Sequence, residues 1–191
     1  MKKIKTLFKK DPTNPALIID EYNVDTEWVL NGEGIATRKY DGTSCAIIDG
    51  IFYKRLELKK GKEQPDGYIV ADYDDETGKT VGWIKVEDKP ENKYHLIAYN
   101  KLKESGQDKD GTYELLGYKI QGNPENYEKD EYVLLNHDEA EVYYNVPTTL
   151  NEIKKWLQDK DIEGIVWHHP DGRMVKIRQK DFKQKRKVSE R

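Results

Sequence analysis

The organisation of this chain is set by the stretch Thr37-Arg38-Lys39-Tyr40-Asp41-Gly42-Thr43-Ser44-Cys45. Apolar residues precede and follow it, at Trp28-Val29-Leu30 and Cys45-Ala46-Ile47-Ile48, and both patterns predict strands. Lys39 is therefore expected at the end of a strand, with a turn at Asp41-Gly42. A lysine so placed is held rigidly while its amine projects into a cleft. Because Asp-Gly between apolar runs is also a common hairpin signal, this stretch alone does not identify a function.

The composition indicates one soluble domain. A chain of 191 residues is long enough to bury a sizeable core, and its apolar and charged fractions are both 36%. No apolar run has the length of a membrane span, and no signal-peptide core follows the basic start. We therefore expect an intracellular, cytoplasmic protein without a membrane partner. Cys45 is the single cysteine, which excludes an internal disulfide and any multi-cysteine metal site.

The net charge of −3 is unevenly distributed. Residues 176–191 contain eight basic and two acidic side chains, so the preceding 175 residues carry a net charge of −9. A basic end on an acidic body is typical of a phosphate-binding surface or of a solvated tail. For residues 183–191 both interpretations remain open: the segment follows RNA phosphates, or it is disordered.

The predicted elements are many antiparallel strands and a few helices. Strands are expected at 35–39, 44–49 and 51–55, with a tight turn at Asp49-Gly50, and this places Lys39 and Arg55 near one another across a sheet. Helices are expected at 90–104 and 149–159, the second beginning with a capping box formed by Thr149 and Glu152. The fold class is therefore α+β, with two packed, largely antiparallel sheets and flanking helices.

Several charged residues lie on predicted strands and suggest a phosphate site. A lysine nucleophile must be neutral to attack, and its reference pKa of about 10.4 means that it needs burial or nearby cations to lose its proton. Arg55, Lys176 and Arg178 are candidate cations, and they would also neutralise a triphosphate under attack. Glu114 and Glu163 lie among apolar residues, where a carboxylate is costly unless it binds a cation, a metal or a hydroxyl. Two such carboxylates suggest contacts with a ribose and with Mg²⁺.

These residues carry a family resemblance. Lys39-Tyr40-Asp41-Gly42 resembles motif I of the covalent nucleotidyltransferases, the superfamily of ATP-dependent DNA ligases, RNA ligases and mRNA capping enzymes. Four further motifs follow in the family's order: Lys54-Arg55, Tyr113-Glu114-Leu115-Leu116-Gly117, Glu163-Gly164-Ile165-Val166 and Val175-Lys176-Ile177-Arg178.

One branch of the superfamily is especially similar, a small RNA ligase family that includes a vertebrate enzyme joining RNA 5′-phosphate and 3′-hydroxyl ends. The phrases that carry this similarity include Glu27-Trp28-Val29-Leu30, Gly82-Trp83-Ile84, Gly111-Thr112-Tyr113-Glu114-Leu115 and Gly122-Asn123-Pro124. The resemblance extends over about residues 25 to 182.

The resemblance implies a reaction and a set of site residues. Lys39 would attack the α-phosphate of ATP and become lysyl-AMP, the AMP would pass to an RNA 5′-phosphate, and a 3′-hydroxyl would displace it. The implied catalytic residues are Lys39, Lys176 and Glu163, with Lys176 on the α-phosphate. Glu163 and Glu114 would be the ligands of Mg²⁺ or Mn²⁺. The implied nucleotide-binding residues are Arg38, Lys39, Asp41, Gly42, Arg55, Tyr113, Glu114, Glu163, Lys176 and Arg178. Tyr113 would stack on adenine, or it is a buried core tyrosine.

The sequence departs from the superfamily pattern at two positions. Ser44 stands where many DNA ligases and capping enzymes have an arginine, and Arg178 replaces the usual second lysine of motif V. Arginine retains the charge and adds a fork for phosphate. Only 13 residues follow Arg178, so we expect a monomeric adenylyltransferase domain at 1–182 with a basic tail at 183–191, and no OB-fold domain.

Two other functions fit the same residues. One is a nick-sealing ligase that acts on DNA or on DNA/RNA hybrids, and the other is a non-catalytic protein that binds nucleotides or RNA ends. His137, His168, His169 and Cys45 are interpreted as structural residues. The sequence predicts that His137 and the pair His168-His169 lie at surface turns and that Cys45 faces the core.

Overall fold

The computed structural model describes residues 4–75 and 77–186. The chain is an α+β structure with 19% helix and 36% strand, which confirms the predicted fold class. Among the described residues, no helix combines the length and the apolar character needed to cross a membrane. The prediction for the basic tail falls partly outside the described residues, at 187–191.

The secondary-structure elements, in chain order, have the following bounds. The strands are β1 Lys5–Thr6, β2 Phe8–Lys10, β3 Ile18–Tyr22, β4 Ile35–Lys39, β5 Thr43–Ile48, β6 Ile51–Leu58, β7 Ile69–Asp74, β8 Lys79–Lys85, β9 Gly111–Gly117, β10 Tyr132–Asn136, β11 Val142–Tyr143, β12 Gly164–His168 and β13 Met174–Arg178. The α-helices are α1 Glu27–Leu30, α2 Lys93–Glu104 and α3 Leu150–Gln158. Short 3₁₀ segments lie at Pro90–Asn92, His137–Glu139 and Gln179–Phe182.

The chain divides into two compact units. The central unit is Asp41–Glu139, and the terminal unit combines residues 4–40 with residues 140–186. The boundary between Tyr40 and Asp41 falls inside the stretch 37–45, which contains Lys39. Each unit has its own sheet and its own buried apolar cluster.

The central unit is a six-stranded antiparallel sheet in the order β10-β9-β5-β6-β8-β7. Asp49 and Gly50, with φ of 51° and 71°, form the predicted tight turn between β5 and β6. Because side chains alternate along a strand, one face of the sheet packs with α2. That core contains Cys45, Ile47, Phe52, Val86, Ala98, Tyr113, Leu115, Ile120, Tyr132 and Leu134.

The terminal unit contains a five-stranded sheet in the order β1-β13-β12-β4-β11 and a separate β2-β3 pair. The sheet is antiparallel except where β1 runs parallel to β13. Ile153 and Leu157 of α3 are fully buried in its core, as the helical period predicted. The remaining buried members of this core are Leu7, Phe8, Trp28, Val29, Ala36, Ile162, Ile165, Trp167, Val175 and Ile177.

The N-terminal arm is part of this unit. In β1, Thr6 lies opposite Lys176, and the backbone N–H of Leu7 donates to the Lys176 carbonyl at 2.9 Å. Leu7 and Phe8 are both 0% exposed. The arm, to which the sequence assigned no role, therefore supports the strand that carries Lys176.

The predicted strand at Trp28-Val29-Leu30 is wrong, because these residues form α1. Asp25 adopts a positive φ of 62°, and its carbonyl accepts a hydrogen bond from the Trp28 indole at 3.1 Å. Trp28 and Val29 are both buried. Consecutive buried side chains fit a helical turn against the core better than a half-buried strand, whose faces alternate.

The pairing predicted around Asp41-Gly42 is also wrong. β4 pairs with β12 and β11, and β5 pairs with β6 and β9, so the two strands belong to different sheets. Lys39 and Arg55 consequently do not share a sheet. Asp41 and Gly42 are the first residues of this segment of the central unit, and no hairpin joins β4 to β5 there.

The N-terminus of α3 differs in detail from the predicted capping box. Thr149 is the N-cap residue, but its hydroxyl donates to the Glu152 carboxylate at 2.5 Å instead of contacting a backbone N–H. The helix therefore begins where the pattern indicated, with a hydrogen bond between side chains in place of the two reciprocal backbone bonds.

Candidate functional site

Lys39 is positioned by three neighbouring strands of the terminal unit. It is the last residue of β4 and lies opposite Gly164 of β12, which in turn lies opposite Arg178 of β13. A Cβ on Gly164 would lie 2.0 Å from the Ile177 carbonyl oxygen. Only glycine therefore allows β12 and β13 to approach so closely, and this packing brings motifs I, IV and V to one end of the sheet.

The Lys39 amine forms an ion pair with Glu163. The Lys39 Nζ donates to Oε2 of Glu163 and, at 3.3 Å, to the carbonyl of Tyr40. Glu163 is only 8% exposed, and the Lys180 ammonium lies 3.8 Å from its second carboxylate oxygen. A buried carboxylate requires such partners. The sequence predicted both residues as catalytic, and the structure brings them together.

Lys176 adds a second amine to this group. Burial, followed by the charges of Arg178 and Lys39, lowers its pKa from 10.5 to about 8. Glu163 and Asp181 oppose this shift only in part. Lys176 thus lies within the electrostatic influence of two further cations, Arg178 and Lys39, and a group of cations of this kind suits an anion such as phosphate.

Arg178 is held by a buried aspartate that the sequence analysis did not single out. Its Nε and Nη2 donate to the two oxygens of Asp181 at 3.2 and 2.9 Å, and the Lys10 ammonium donates to Asp181 at 2.7 Å. Asp181 is 1% exposed. Burial alone would raise the pKa of Asp181, but the hydrogen bonds from Arg178 and Lys10 hold it below its ordinary value. The only sequence signal was an aspartate three residues after the arginine of motif V.

Arg38, predicted to bind the nucleotide, contacts its own unit. Its guanidinium lies over the Tyr40 ring at 4.8 Å and donates to the Asp161 carbonyl at 3.3 Å. Nη1 lies 3.6 Å from the Glu141 carboxylate. These contacts fix the guanidinium within the terminal unit.

The described part of the basic tail is packed against the same unit. The guanidinium of Arg186 donates through Nε to the Asp161 carboxylate at 2.6 Å, and Gln184 donates to the Lys154 carbonyl at 3.1 Å. The Arg186 side chain is 11% exposed. Residues 183–186 are therefore ordered against the terminal unit.

In the central unit, Glu114 lies on β9 and is 9% exposed. Its Oε1 accepts the backbone N–H of Gly42 at 3.1 Å, and its Oε2 lies 3.0 Å from Nε2 of His137. Nδ1 of His137 is 2.9 Å from the Thr112 hydroxyl. The predicted surface turn at His137 is confirmed as a 3₁₀ segment, and the imidazole in addition bridges two residues of the neighbouring strand.

The backbone after Lys39 packs closely against β9. A Cβ on Gly42 would lie 2.3 Å from the Leu115 carbonyl oxygen, so no larger residue fits there without a shift. The preceding Asp41 donates its backbone N–H to the Glu125 carboxylate at 3.0 Å. Asp41 and Gly42 are thus fixed by backbone hydrogen bonds to two glutamates.

Arg55 and Tyr113 differ in their environments. Burial lowers the pKa of Arg55 from its ordinary value, with opposing contributions from Glu57, Asp72 and Glu114. Tyr113 is 1% exposed within the core, and its hydroxyl donates to the Lys109 carbonyl at 2.6 Å. This burial favours the core interpretation of Tyr113 over adenine stacking.

The metal-type side chains are dispersed. Glu163 belongs to the terminal unit and Glu114 to the central unit. Within residues 4–75 and 77–186, no group of three or more histidine, cysteine or acidic side chains is arranged to hold a metal ion. Mg²⁺ commonly takes only one or two protein carboxylates together with substrate phosphates, so either glutamate alone has suitable ligand chemistry.

The structure thus places Lys39, Glu163 and Lys176 in one α+β unit, and comparisons with known proteins indicate the class of protein, an RNA ligase. Residues 97–189 match the family model of RNA ligase 1, a region that includes Glu114, Glu163 and Lys176. RNA ligase 1 of Rattus norvegicus is 29% identical to this chain over 153 residues.

The rat alignment spans 65% of this chain and 44% of the rat protein. The chain is therefore similar to the small RNA ligase family, and its match spans less than half the length of the rat protein.

Proposed function

We propose that this chain is the catalytic domain of an ATP-dependent RNA ligase that joins 5′-phosphate to 3′-hydroxyl ends through a lysyl-AMP intermediate. The observation that carries the proposal is the Lys39–Glu163 ion pair beside Lys176, whose pKa is lowered to about 8. The relationship to RNA ligase 1 supports RNA as the substrate.

In the first step the neutral Lys39 amine attacks the α-phosphorus of ATP. A P–N bond forms, the bond between the α-phosphorus and the bridging oxygen to the β-phosphate breaks, and pyrophosphate leaves with that oxygen. The amine nitrogen passes one proton to solvent water in becoming a phosphoramidate. Attack requires the free lone pair of the amine, so the Lys39 Nζ must leave its ion pair with Glu163 beforehand.

Lys176 and Arg178 stabilise the charge on the reacting phosphates. Developing negative charge on the phosphoryl oxygens is best met by cations that are already in place. Lys176 is fixed on β13 between β1 and β12, and Arg178 is fixed by Asp181, so neither side chain requires large reorganisation. Arg38 reinforces the positive charge on β4.

Mg²⁺ or Mn²⁺ would be held by Glu163, with Glu114 as a second candidate ligand, and would neutralise charge on the phosphates. The carboxylate chemistry of Glu163 fits such an ion, because its oxygens already accept one cationic partner and lie near another. Release of Lys39 from Glu163 would then leave the amine able to lose its proton.

The later steps transfer the AMP and then release it. The AMP passes to an RNA 5′-phosphate, and a 3′-hydroxyl displaces it to form the phosphodiester. Arg55 and Glu114 contact the ribose or the RNA end. The backbone of Asp41 and Gly42, which comes directly after Lys39-Tyr40 in the chain, contacts the nucleotide. The exposed side chains of Lys183 and Lys185 supply further cations for RNA phosphates.

The decisive test is intact mass spectrometry after incubation with ATP and Mg²⁺. We expect a gain of one AMP on the wild type and none on Lys39→Arg, which keeps the charge but lacks the nucleophile. Lys9→Arg is the matched control, because Lys9 forms an exposed ion pair with Glu21. An equal adduct on wild type and Lys39→Arg would overturn the assignment of Lys39.

The second test compares sealing of matched RNA, DNA and hybrid substrates. We expect sealing of RNA ends that carry a 5′-phosphate and a 3′-hydroxyl. Sealing of DNA alone would support the nick-sealing alternative. Binding of ATP and RNA ends without an AMP adduct, in protein checked not to be adenylylated beforehand, would support the non-catalytic alternative.

A further inference from the structure

His137 makes two contacts that a surface turn does not require. It is the first residue of the 3₁₀ segment after β10, and its ring lies against β9. Nδ1 is 2.9 Å from Thr112 Oγ1, and Nε2 is 3.0 Å from Glu114 Oε2. Thr112 and Glu114 are two residues apart on β9, so their side chains lie on the same face of the sheet.

The direction of these hydrogen bonds follows from the chemistry of the groups. An ionised carboxylate only accepts, so Nε2 of His137 carries the proton and donates to Glu114. In the neutral imidazole, Nδ1 then accepts from the Thr112 hydroxyl. The second carboxylate oxygen of Glu114 accepts the N–H of Gly42 at 3.1 Å.

Both oxygens of Glu114 are thus fixed by donors from separate segments of the central unit. Glu114 is 9% exposed, and a buried carboxylate has only a few stable orientations once its donors are set. Gly42, one of those donors, lies three residues after Lys39 in the sequence. The orientation of Glu114 and the backbone that follows the nucleophile are therefore linked through one carboxylate.

We propose that His137 is a positioning residue that orients Glu114 and, through it, the Gly42 backbone for nucleotide binding. This inference rests on the proposed function, in which Glu114 contacts the ribose or the RNA end. His137 itself touches no reacting atom. His137 restricts the rotation of the Glu114 carboxylate, as hydrogen bonds restrict the rotation of metal ligands in other sites.

The test uses the full chain with three variants. His137→Gln retains an N–H donor that can reach Glu114, His137→Leu removes both ring nitrogens, and His169→Leu is the control. His169 makes an equivalent 3.0 Å contact with Glu33, at a turn of the terminal unit. Equal melting temperatures within the set establish that each variant is folded, and Thr112→Val replaces His137→Leu if the latter does not fold.

The first readout is single-turnover formation of the AMP adduct as a function of ATP concentration. We expect His137→Leu to raise the ATP concentration at half-maximal rate by about 10-fold, with the rate at saturation within about 2-fold of wild type, because positioning for binding is lost. His137→Gln should recover to within about 3-fold, and His169→Leu should match the wild type. A wild-type ATP dependence in folded His137→Leu, or no recovery in His137→Gln, would overturn the inference.

The second readout separates this inference from the proposed function. Hydrogen exchange of the Gly42 amide reports the contact with Glu114 whether or not the protein forms lysyl-AMP. We expect about 10-fold faster exchange in His137→Leu, and wild-type protection in His137→Gln and His169→Leu. Unchanged exchange in His137→Leu would reject the positioning role, whereas a wild type without an AMP adduct would reject the proposed function alone.

Discussion

Lys39 and Glu163 form a largely buried ion pair in the terminal unit, where the end of β4 lies beside the start of β12. The pair joins a residue of motif I to a residue of motif IV across 124 positions of sequence. Glu163 accepts a hydrogen bond from the Lys39 amine, whereas the proposed reaction requires an amine whose lone pair is free to attack. In that proposal, Glu163 both orients the Lys39 amine and must release it.

This dual role predicts the behaviour of Glu163 variants. Glu163→Gln preserves the size of the side chain but removes its charge and its ability to hold a divalent cation. We expect the rate of AMP-adduct formation, measured by intact mass, to fall by about 10²–10³-fold at saturating ATP. Glu21→Gln, which removes one partner of the exposed Lys9–Glu21 pair, should react at the wild-type rate. Wild-type kinetics in Glu163→Gln would remove Glu163 from the chemistry.

The lowered pKa of Lys176 predicts a pH-dependent stability. Between pH 8 and about 10.5 the unfolded chain binds this proton more tightly than the folded chain, so the contribution of Lys176 to stability becomes more favourable as pH rises. At pH 7 both states are protonated, and the folded state bears the full cost of the buried charge. Lys176→Met should therefore increase the free energy of unfolding at pH 7 by on the order of 1–2 kcal/mol.

The measurement is urea denaturation of wild type and Lys176→Met at several pH values. The stability difference should shrink as pH rises from 8 towards 10, because the wild-type amine then loses its proton in the folded state. The stabilised variant should also lose adduct formation, since its cation is gone. A difference that stays constant with pH would contradict the assigned charge state of Lys176.

Local sequence patterns predicted much of this fold. The alternation around Lys39 located β4 at its observed bounds, and the capping pattern at Thr149 located the start of α3. Such signals are local, because they depend on the 2.0 and 3.6 residue periods of strands and helices. A family resemblance in the sequence also named Lys39, Glu163 and Lys176 as candidate site residues, and the structure pairs the first two.

Strand pairing could not be predicted, because it depends on contacts between distant segments. Nothing local to Asp41-Gly42 indicates that β4 pairs with β12 instead of β5. His137 and Asp181 were missed for the same reason: each is recognisable only by the side chain it meets, Glu114 in one case and Arg178 in the other. The residues of a buried polar network do not recur at a regular spacing along the sequence.

Asp181 is predicted to be a major source of stability. Asp181→Asn leaves Arg178 and Lys10 without their buried anion, and breaking a buried pair in this way costs about 3–5 kcal/mol. Because the folded-state pKa of Asp181 is depressed, its contribution is present above the pKa of the unfolded chain, about 3.9, and is lost as pH falls below that value. The difference in unfolding free energy between Asp181→Asn and the wild type should therefore become smaller at acidic pH.

Urea denaturation at pH 7 and at about pH 3 measures this gap. Glu21→Gln is again the control, since the Lys9–Glu21 pair is exposed and its loss should change stability by less than about 1 kcal/mol. If Asp181→Asn loses no more unfolding free energy at pH 7 than Glu21→Gln does, Asp181 does not anchor Arg178.

Gly164 is predicted to be required for the geometry of the Lys39 site. A methyl group in Gly164→Ala would lie 2.0 Å from the Ile177 carbonyl oxygen and 2.8 Å from the Arg178 Cα, both backbone atoms, so β12 and β13 must separate. The neighbouring Glu163 would move with β12. We expect a loss of about 1–3 kcal/mol in unfolding free energy, as for other overpacked sites, with a larger fractional loss of AMP-adduct formation.

Gly61→Ala is the control for replacing a glycine without a steric clash. Gly61 has a φ of 78° and open space around its Cβ position, so this variant has backbone strain but no overpacking. It should lose about 1 kcal/mol of unfolding free energy and keep its activity. Gly164→Ala with wild-type stability and activity would show that the two strands tolerate a side chain at this position.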